Sequence, residues 1–329
     1  MRVLRIIGSI CIALYLIFAP RMLFSGVKVD RIQQLHTIPE PQFQGTALLY
    51  HVVSDRTYTG SVTNWLKDQA KKFEEENDGA HLMIEGMSEN DFYERIAYGR
   101  TADGYSFFSG SLYADLLQPI ELESPVLRSG LSLTELAVPY FYTGNALVTS
   151  EKDRSLADLH AEGKLACSYL DLARLQLQNE AIPQENATAW YTDWYTAHTL
   201  LIDDEGGGQR SLCAVDSYTD AVCWLGLSRE CGTEQARILS AFYAYLLEEK
   251  PQRSVNAFGA CSVREDVADA ACDPALEPLM QAYQTVVTPH PFRYAAEYDA
   301  LRTDAELSVR GDAYAKTRFH ERLRHLLLT

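Results

Sequence analysis

Basic residues are scarce in this chain. Its 329 residues set 29 Lys+Arg against 45 Asp+Glu, a formal charge of −16. So acidic a surface repels a phosphate backbone, and no basic stripe offsets it, which excludes nucleic acid as a partner. The H-E-x-x-H, Walker, G-x-G-x-x-G and G-x-S-x-G patterns are missing too, so no enzyme signature is present. There is no C-x-x-C and no closely spaced Cys/His set, so no metal and no other cofactor is expected. Internal repeats and low-complexity tracts are also lacking. What is there is ordinary for a folded protein: 47% hydrophobic residues, 22% charged ones, and a length suited to about two domains.

The charge is unevenly spread. Residues 1–35 carry Arg2, Arg5, Arg21, Lys28 and Arg31 against Asp30 alone, a sum of +4 that leaves −20 for the rest. Arg2 and Arg5 precede the apolar run Ile6–Ala19, the order of an export signal. Leu23-Phe24-Ser25 offers no small-x-small cleavage pattern, and Ile6–Phe24 is about 19 residues long, close to a bilayer span. Residues 1–26 therefore read as an uncleaved signal anchor, with a cleaved signal peptide as the alternative. The body would then lie outside the cytoplasm. Residues 27–44, with Pro39 and Pro41, read as a spacer. The six cysteines beyond the anchor (167, 213, 223, 231, 261 and 272) permit disulfides in an exported body, in 15 possible pairings, or stay buried thiols.

The body alternates strand-like and helix-like segments. Ala47–Val53 is an apolar run of strand length. Val62, Trp65, Leu66, Ala70 and Phe73 recur at helical spacing behind Ser61 or Thr63 as cap. His81–Ile84 reads as a strand, and Ser88 with Asp91 as a capping box for a helix through Arg100. Gly104–Ser109 reads as a third strand, followed by a short helix at Leu112–Leu117. Further strands are expected at 146–148, 165–167, 212–215 and 221–227. Helices are expected at Ser155–Glu162, Glu234–Glu249 (ended by Pro251), 275–287 and 312–328. Strands alternating with helices imply βαβ units and a parallel sheet.

This order of segments resembles the extracellular solute-binding proteins of ABC importers, in particular the group that includes sugar binders. Ala70-Lys71-Lys72-Phe73-Glu74 running to Gly79 is similar to that family's A-x-x-F-E helix. Leu116-Leu117-Gln118-Pro119 is similar to its L-x-P segment, Val138-Pro139-Tyr140 to its interlobe crossing, and Asp158-Leu159 through Gly163-Lys164 to its D-L-x-x-x-G-K. Ala241–Gln252 matches the late helix, and Gly259 through Val267 the loop behind it, with Cys261-Ser262 where proline is usual. The lipidated cysteine of the family is absent, and the segment between Cys167 and Leu212 is short for it.

The resemblance implies an α/β fold of the type II periplasmic-binding-protein kind: two lobes, each a mostly parallel sheet flanked by helices, closing on a ligand about a hinge. One lobe would hold 45–139 and 222–265, the other 140–221 and 266–329, with crossings near Val138–Tyr142 and Asp220–Trp224. The implied partners are a small polar ligand, with a saccharide favoured, an ABC permease, and the membrane through the N-terminal helix, the protein itself being a monomer. Ligands of open α/β sheets bind beyond the carboxyl ends of the strands. That rule selects Tyr58, Ser109, Ser111, Tyr140 and Tyr142. Trp190, Trp194 and Trp224 are candidates for stacking on a sugar face, and Asp216 for bonding a polar ligand. Trp190 and Trp194, spaced i,i+4, also fit a helix packing stripe. Other readings are a tethered sensor of the same fold and, remotely, a surface hydrolase using paired carboxylates. Asp203-Asp204-Glu205 and Gly206-Gly207-Gly208 read as solvated loops.

Overall fold

The computed structural model describes residues 42–53, 60–123, 125–128, 131–151, 154–168, 171, 187–202, 210–213, 218–219, 221–285, 288–289 and 294–328. The expected anchor and most of the spacer lie outside these residues. Among the described residues no helix is long and apolar enough to cross a membrane.

The first sheet grows from β1 (Gly45–Val52), which pairs in parallel with β2 (Ala80–Met87) over its whole length, from Gly45 opposite Ala80 to Val52 opposite Met87. Between them α1 (Val62–Glu76) starts where the Ser61 hydroxyl accepts the Asn64 N–H, satisfying an orphan donor. It buries Val62, Trp65, Leu66, Ala70 and Phe73, the stripe its helical spacing predicts. Helix α2 (Glu89–Ala97) begins in the expected Ser88–Asp91 box but ends before Arg100. It leads to β3 (Gly104–Phe108), parallel to β1. The helix expected at 112–117 is instead a single 3-10 turn at Ala114–Leu116, followed by β4 (Leu117–Gln118). The sheet order is β2-β1-β3-β11-β4, with β5 (Val138–Tyr142) also on β11 (Val222–Ser228).

β11 runs antiparallel to β3, β4 and β5, while the other five strands share one direction, so the sheet is mostly parallel as expected, with one reversed strand. The reason is connectivity. β5 leaves this sheet for the crossing and β11 returns from it, so the two must run in opposite directions.

The second sheet likewise holds one reversed strand. It has the order β7-β8-β6-β9, from β6 (Asn145–Thr149), β7 (Leu165–Ala166), β8 (Ala189–Asp193) and β9 (Ser211–Cys213), and only β7 with β8 is parallel. β6 starts at the crossing with Asn145, whereas β8 ends there with Asp193 opposite it. Helix α3 (Leu156–Ala161) is capped by Ser155, and α4 (Trp194–Ile202) follows β8 without a break. A further pair, β10 (Tyr218–Thr219) with β12 (Thr288–Pro289), is parallel.

The helix expected to stop at Pro251 divides in two. α5 (Thr233–Leu246) ends first, and Pro251 then sits in the first turn of α6 (Glu249–Ser254), where its missing N–H has no intrahelical acceptor to lose. Near the C-terminus come α7 (Glu277–Thr285), α8 (Ala295–Val309) and α9 (Ala313–Leu328). Helix α8 was not expected. Its buried Asp304 carboxylate takes Arg318 at 2.8 Å and Arg322 at 3.1 Å, both from α9, which staples the pair together. All six cysteines of the body are free thiols, Cys223 and Cys261 being buried.

Three chain segments lie side by side between the sheets. The Thr143 N–H donates to the Ala221 carbonyl at 2.8 Å, and Tyr142 and Cys261 exchange both backbone bonds. At Gly144 the ring of Tyr283 leaves no room: a Cβ there would lie 2.1 Å from it.

Candidate functional site

The carboxyl ends of β1, β3 and β5 and of β7 and β8 all belong to the side of their sheets nearest these crossings. In the first sheet the loop after β3 is covered. Ser109, buried, donates its hydroxyl to the Val222 carbonyl at 3.3 Å and accepts the Trp224 indole N–H at 2.9 Å. Ser111 closes a turn onto Phe108, and its carbonyl accepts the Tyr93 hydroxyl. Helix α8 lies against the same loop: Ala295 N–H donates to the Leu112 carbonyl, Tyr113 donates to Asp299, and Tyr298 packs over Gly110. Gly110 has φ +83°, and a Cβ there would come within 2.7 Å of the Tyr298 ring.

Deeper in the first sheet sits a polar cluster. The Ser106 hydroxyl bonds both His51 Nδ1 and the Tyr140 hydroxyl at 2.8 Å, and Cys223 Sγ lies 3.3 Å from the same hydroxyl. All four residues are buried, and Tyr140 stacks on Trp65. Burial holds His51 down at about 4, so it is neutral at pH 7, and pushes Cys223 up to about 12 and Tyr140 well above the usual phenol range. With no solvent path through this packing, the cluster is a core network.

The second sheet carries a cavity at the matching place. A cavity of about 290 Å³ lies at the ends of β7 and β8, lined by Ala166, Cys167, Ser168, Trp190, Tyr191, Thr192 and Thr196. The Arg210 guanidinium covers one face of the Trp190 ring at 4.6 Å. The three aliphatic hydroxyls of this lining share one property. Ser168 donates to Asp171 at 2.6 Å, and Thr192 and Thr196 donate to Asp193 Oδ2 at 3.3 and 2.9 Å. A carboxylate only accepts, so each hydroxyl proton is spent and each oxygen keeps lone pairs. Such a pocket suits a ligand that donates hydrogen bonds, such as an alcohol or an ammonium group. A second cavity of about 420 Å³ is lined by Ile120, Glu121, Leu122, Glu123, Leu133, Thr134 and Val138. It sits at the start of β5, away from the crossing, and its one hydroxyl, Thr134, is bound within its own turn.

Among the residues selected from sequence, Trp190 lines the pocket, though it is 8% exposed and belongs to the buried core. Tyr58 and Asp216 lie outside the described residues, as do the loops 203–208. Ser109, Tyr140, Tyr142, Trp194 and Trp224 are buried in the body, and Ser111 has its backbone committed. Trp190 and Trp194 do not share a helix. Asp193 stands between them and caps α4, its Oδ1 accepting the Thr196 N–H at 3.0 Å, so the first tryptophan is on a strand and the second opens a helix. Thr192, Thr196, Ser168 and Arg210 were missed. An aspartate three residues before a threonine was the available signal for Thr196.

No family model matches the chain, and no curated protein does. Solved structures do resemble it. The cyclic alpha-maltosyl-1,6-maltose binding protein from Arthrobacter globiformis is similar at TM-score 0.59 and 10% identity, over 86% of this chain and 99% of that one. The sugar-binding protein MalE from Xanthomonas citri is similar at 0.57 and 10%, over 86% and 98%. A Bordetella ferric binding protein is similar at 0.55 and 14%, over 81% and 98%. At these identities the likeness establishes the fold: an α/β periplasmic-binding-protein architecture built on two sheets.

Proposed function

We propose that this chain is an extracytoplasmic solute-binding protein, not an enzyme, that captures a saccharide between two lobes and presents it to an ABC permease. The observation that carries this reading is the pocket on the second sheet, where the exposed margin of Trp190, whose ring is otherwise buried, stands beside the acceptor oxygens of Ser168, Thr192 and Thr196. Hydroxyl acceptors beside the margin of an aromatic ring suit a sugar, whose rim carries O–H and whose faces carry C–H. The neighbours named above as sugar binders support the same ligand class.

In this reading the lobes are 45–139 with 222–265 and 140–221 with 266–329, and a ligand touching both favours the closed form by its differential affinity. Residues 1–26 would hold the body at the outer face of the membrane. Thermal unfolding of the full-length protein against mono- and oligosaccharides, amino acids, polyamines and metal ions tests the reading. A saccharide at 100 times its Kd adds about 2.7 kcal/mol, a rise of roughly 5–10 °C in Tm. A shift with another ligand class and none with saccharides would overturn the ligand assignment.

A further inference from the structure

We infer that Tyr283 is the positioning residue that ties the pocket of the second sheet to the crossing strand, so that filling the pocket is felt at the hinge. This deepens the solute-binding reading and rests on it. Tyr283, on α7, is buried and sits at the junction of two structures. Its hydroxyl donates to the Asn145 carbonyl at 2.7 Å and accepts the Asn145 N–H at 3.0 Å. Both backbone groups of the first residue beyond the crossing therefore rest on one side chain, and the ring lies flush on Gly144 just before it. The same ring meets Trp194 edge-to-face, centroids 5.2 Å apart at 83°.

Trp194 leads back to the pocket. It is wholly buried, and its indole N–H has no hydrogen-bond partner among the described residues, so packing alone holds it. It follows Asp193, whose carboxylate carries the hydroxyls of Thr192 and Thr196, both lining the pocket. Asp193 is in turn the register partner of Asn145 across β6 and β8. Pocket hydroxyls, Asp193, Trp194, Tyr283 and Asn145 thus form a closed ring of contacts. A ligand that draws on Thr192 and Thr196 acts on the first turn of α4, and Trp194 passes that displacement to the residue holding the crossing strand.

Hydrogen–deuterium exchange on the full-length protein tests this, first without ligand. Tyr283→Phe keeps the ring and removes both bonds to Asn145. Exchange is expected to rise about tenfold at 144–146 and also across 192–198, with β1–β3 unchanged. A rise confined to 144–146 and α7, or spread evenly over the chain, overturns the inference. Gly144→Ala pushes the same ring aside while leaving residue 283 a tyrosine, and is expected to reproduce the pattern. It also covers the case in which Tyr283→Phe fails to fold.

A second arm uses millimolar maltose. Wild type is expected to gain protection at 192–198 and 143–146, whereas Tyr283→Phe gains it at 192–198 only. Equal protection of 143–146 in both proteins overturns the coupling. No protection in wild type counts against maltose as a ligand, and the ligand-free comparison then decides the coupling by itself.

Discussion

In the first sheet the polar groups near the crossing are spent on one another. Ser109 holds Trp224, Ser106 holds His51 and Tyr140, and helix α8 covers the loop after β3. In the second sheet the hydroxyls at the corresponding strand ends are tied to carboxylates on one side and open to a cavity on the other. Both sheets carry tryptophan, tyrosine and serine or threonine at these ends. What separates a core network from a candidate binding surface is whether a second chain segment covers those groups, and residue type does not report that.

The comparison breaks if tryptophans in the first sheet are not core residues. Trp224→Ala is expected to cost about 4 kcal/mol in chemical denaturation, from the cavity and the lost indole hydrogen bond to Ser109 together. A loss under 1 kcal/mol, with weakened saccharide binding instead, would move the candidate site to the first sheet.

The pH dependence of stability sharpens the same point. His51 is lowered by burial from 6.5 to about 4. Below pH 6.5 the unfolded chain takes up a proton that the folded chain refuses until about pH 4, so the unfolded state binds more protons and stability falls as the pH falls through that window. The contribution is about 3 kcal/mol between pH 7 and 4. His51→Gln should flatten that part of the profile; an unchanged profile would mean that His51 is not sequestered.

The smallest expected effect is on the other sheet. Thr196→Val keeps the shape and the backbone cap on Asp193 but removes an acceptor oxygen, so it should weaken saccharide binding by about 1 kcal/mol, near fivefold. Global stability should change by no more than about 0.5 kcal/mol. Unchanged affinity in titration calorimetry would remove Thr196 from the site.

Much of the first sheet is legible in the order of residues. Ser61 and Ser88 cap the helices their positions predict, and the stripe from Val62 to Phe73 is buried as its spacing requires. These are interactions among residues three or four apart, which composition and period can report. The second sheet is less legible. Trp190-Tyr191-Thr192 and Trp194-Tyr195-Thr196 are the same tripeptide four residues apart, yet the first is strand and the second helix. Asp193 changes the structure between them by capping α4, while pairing of β8 with β6 and β7 keeps the first copy extended.

The sequence by itself determined the acidic character of the body, the alternation of strands and helices, their caps, and hence a fold now matched by solved structures. Tertiary structure alone decided that β11 runs against β3 and β5, that Tyr140 and Trp224 are core, and that the pocket opens beside Trp190. The physical reason is range. A cap or an amphipathic stripe is written within one turn of chain, whereas burial depends on what arrives from far along the sequence: α8 reaches a loop more than a hundred residues earlier, and Tyr283 reaches Asn145 from 138 residues away.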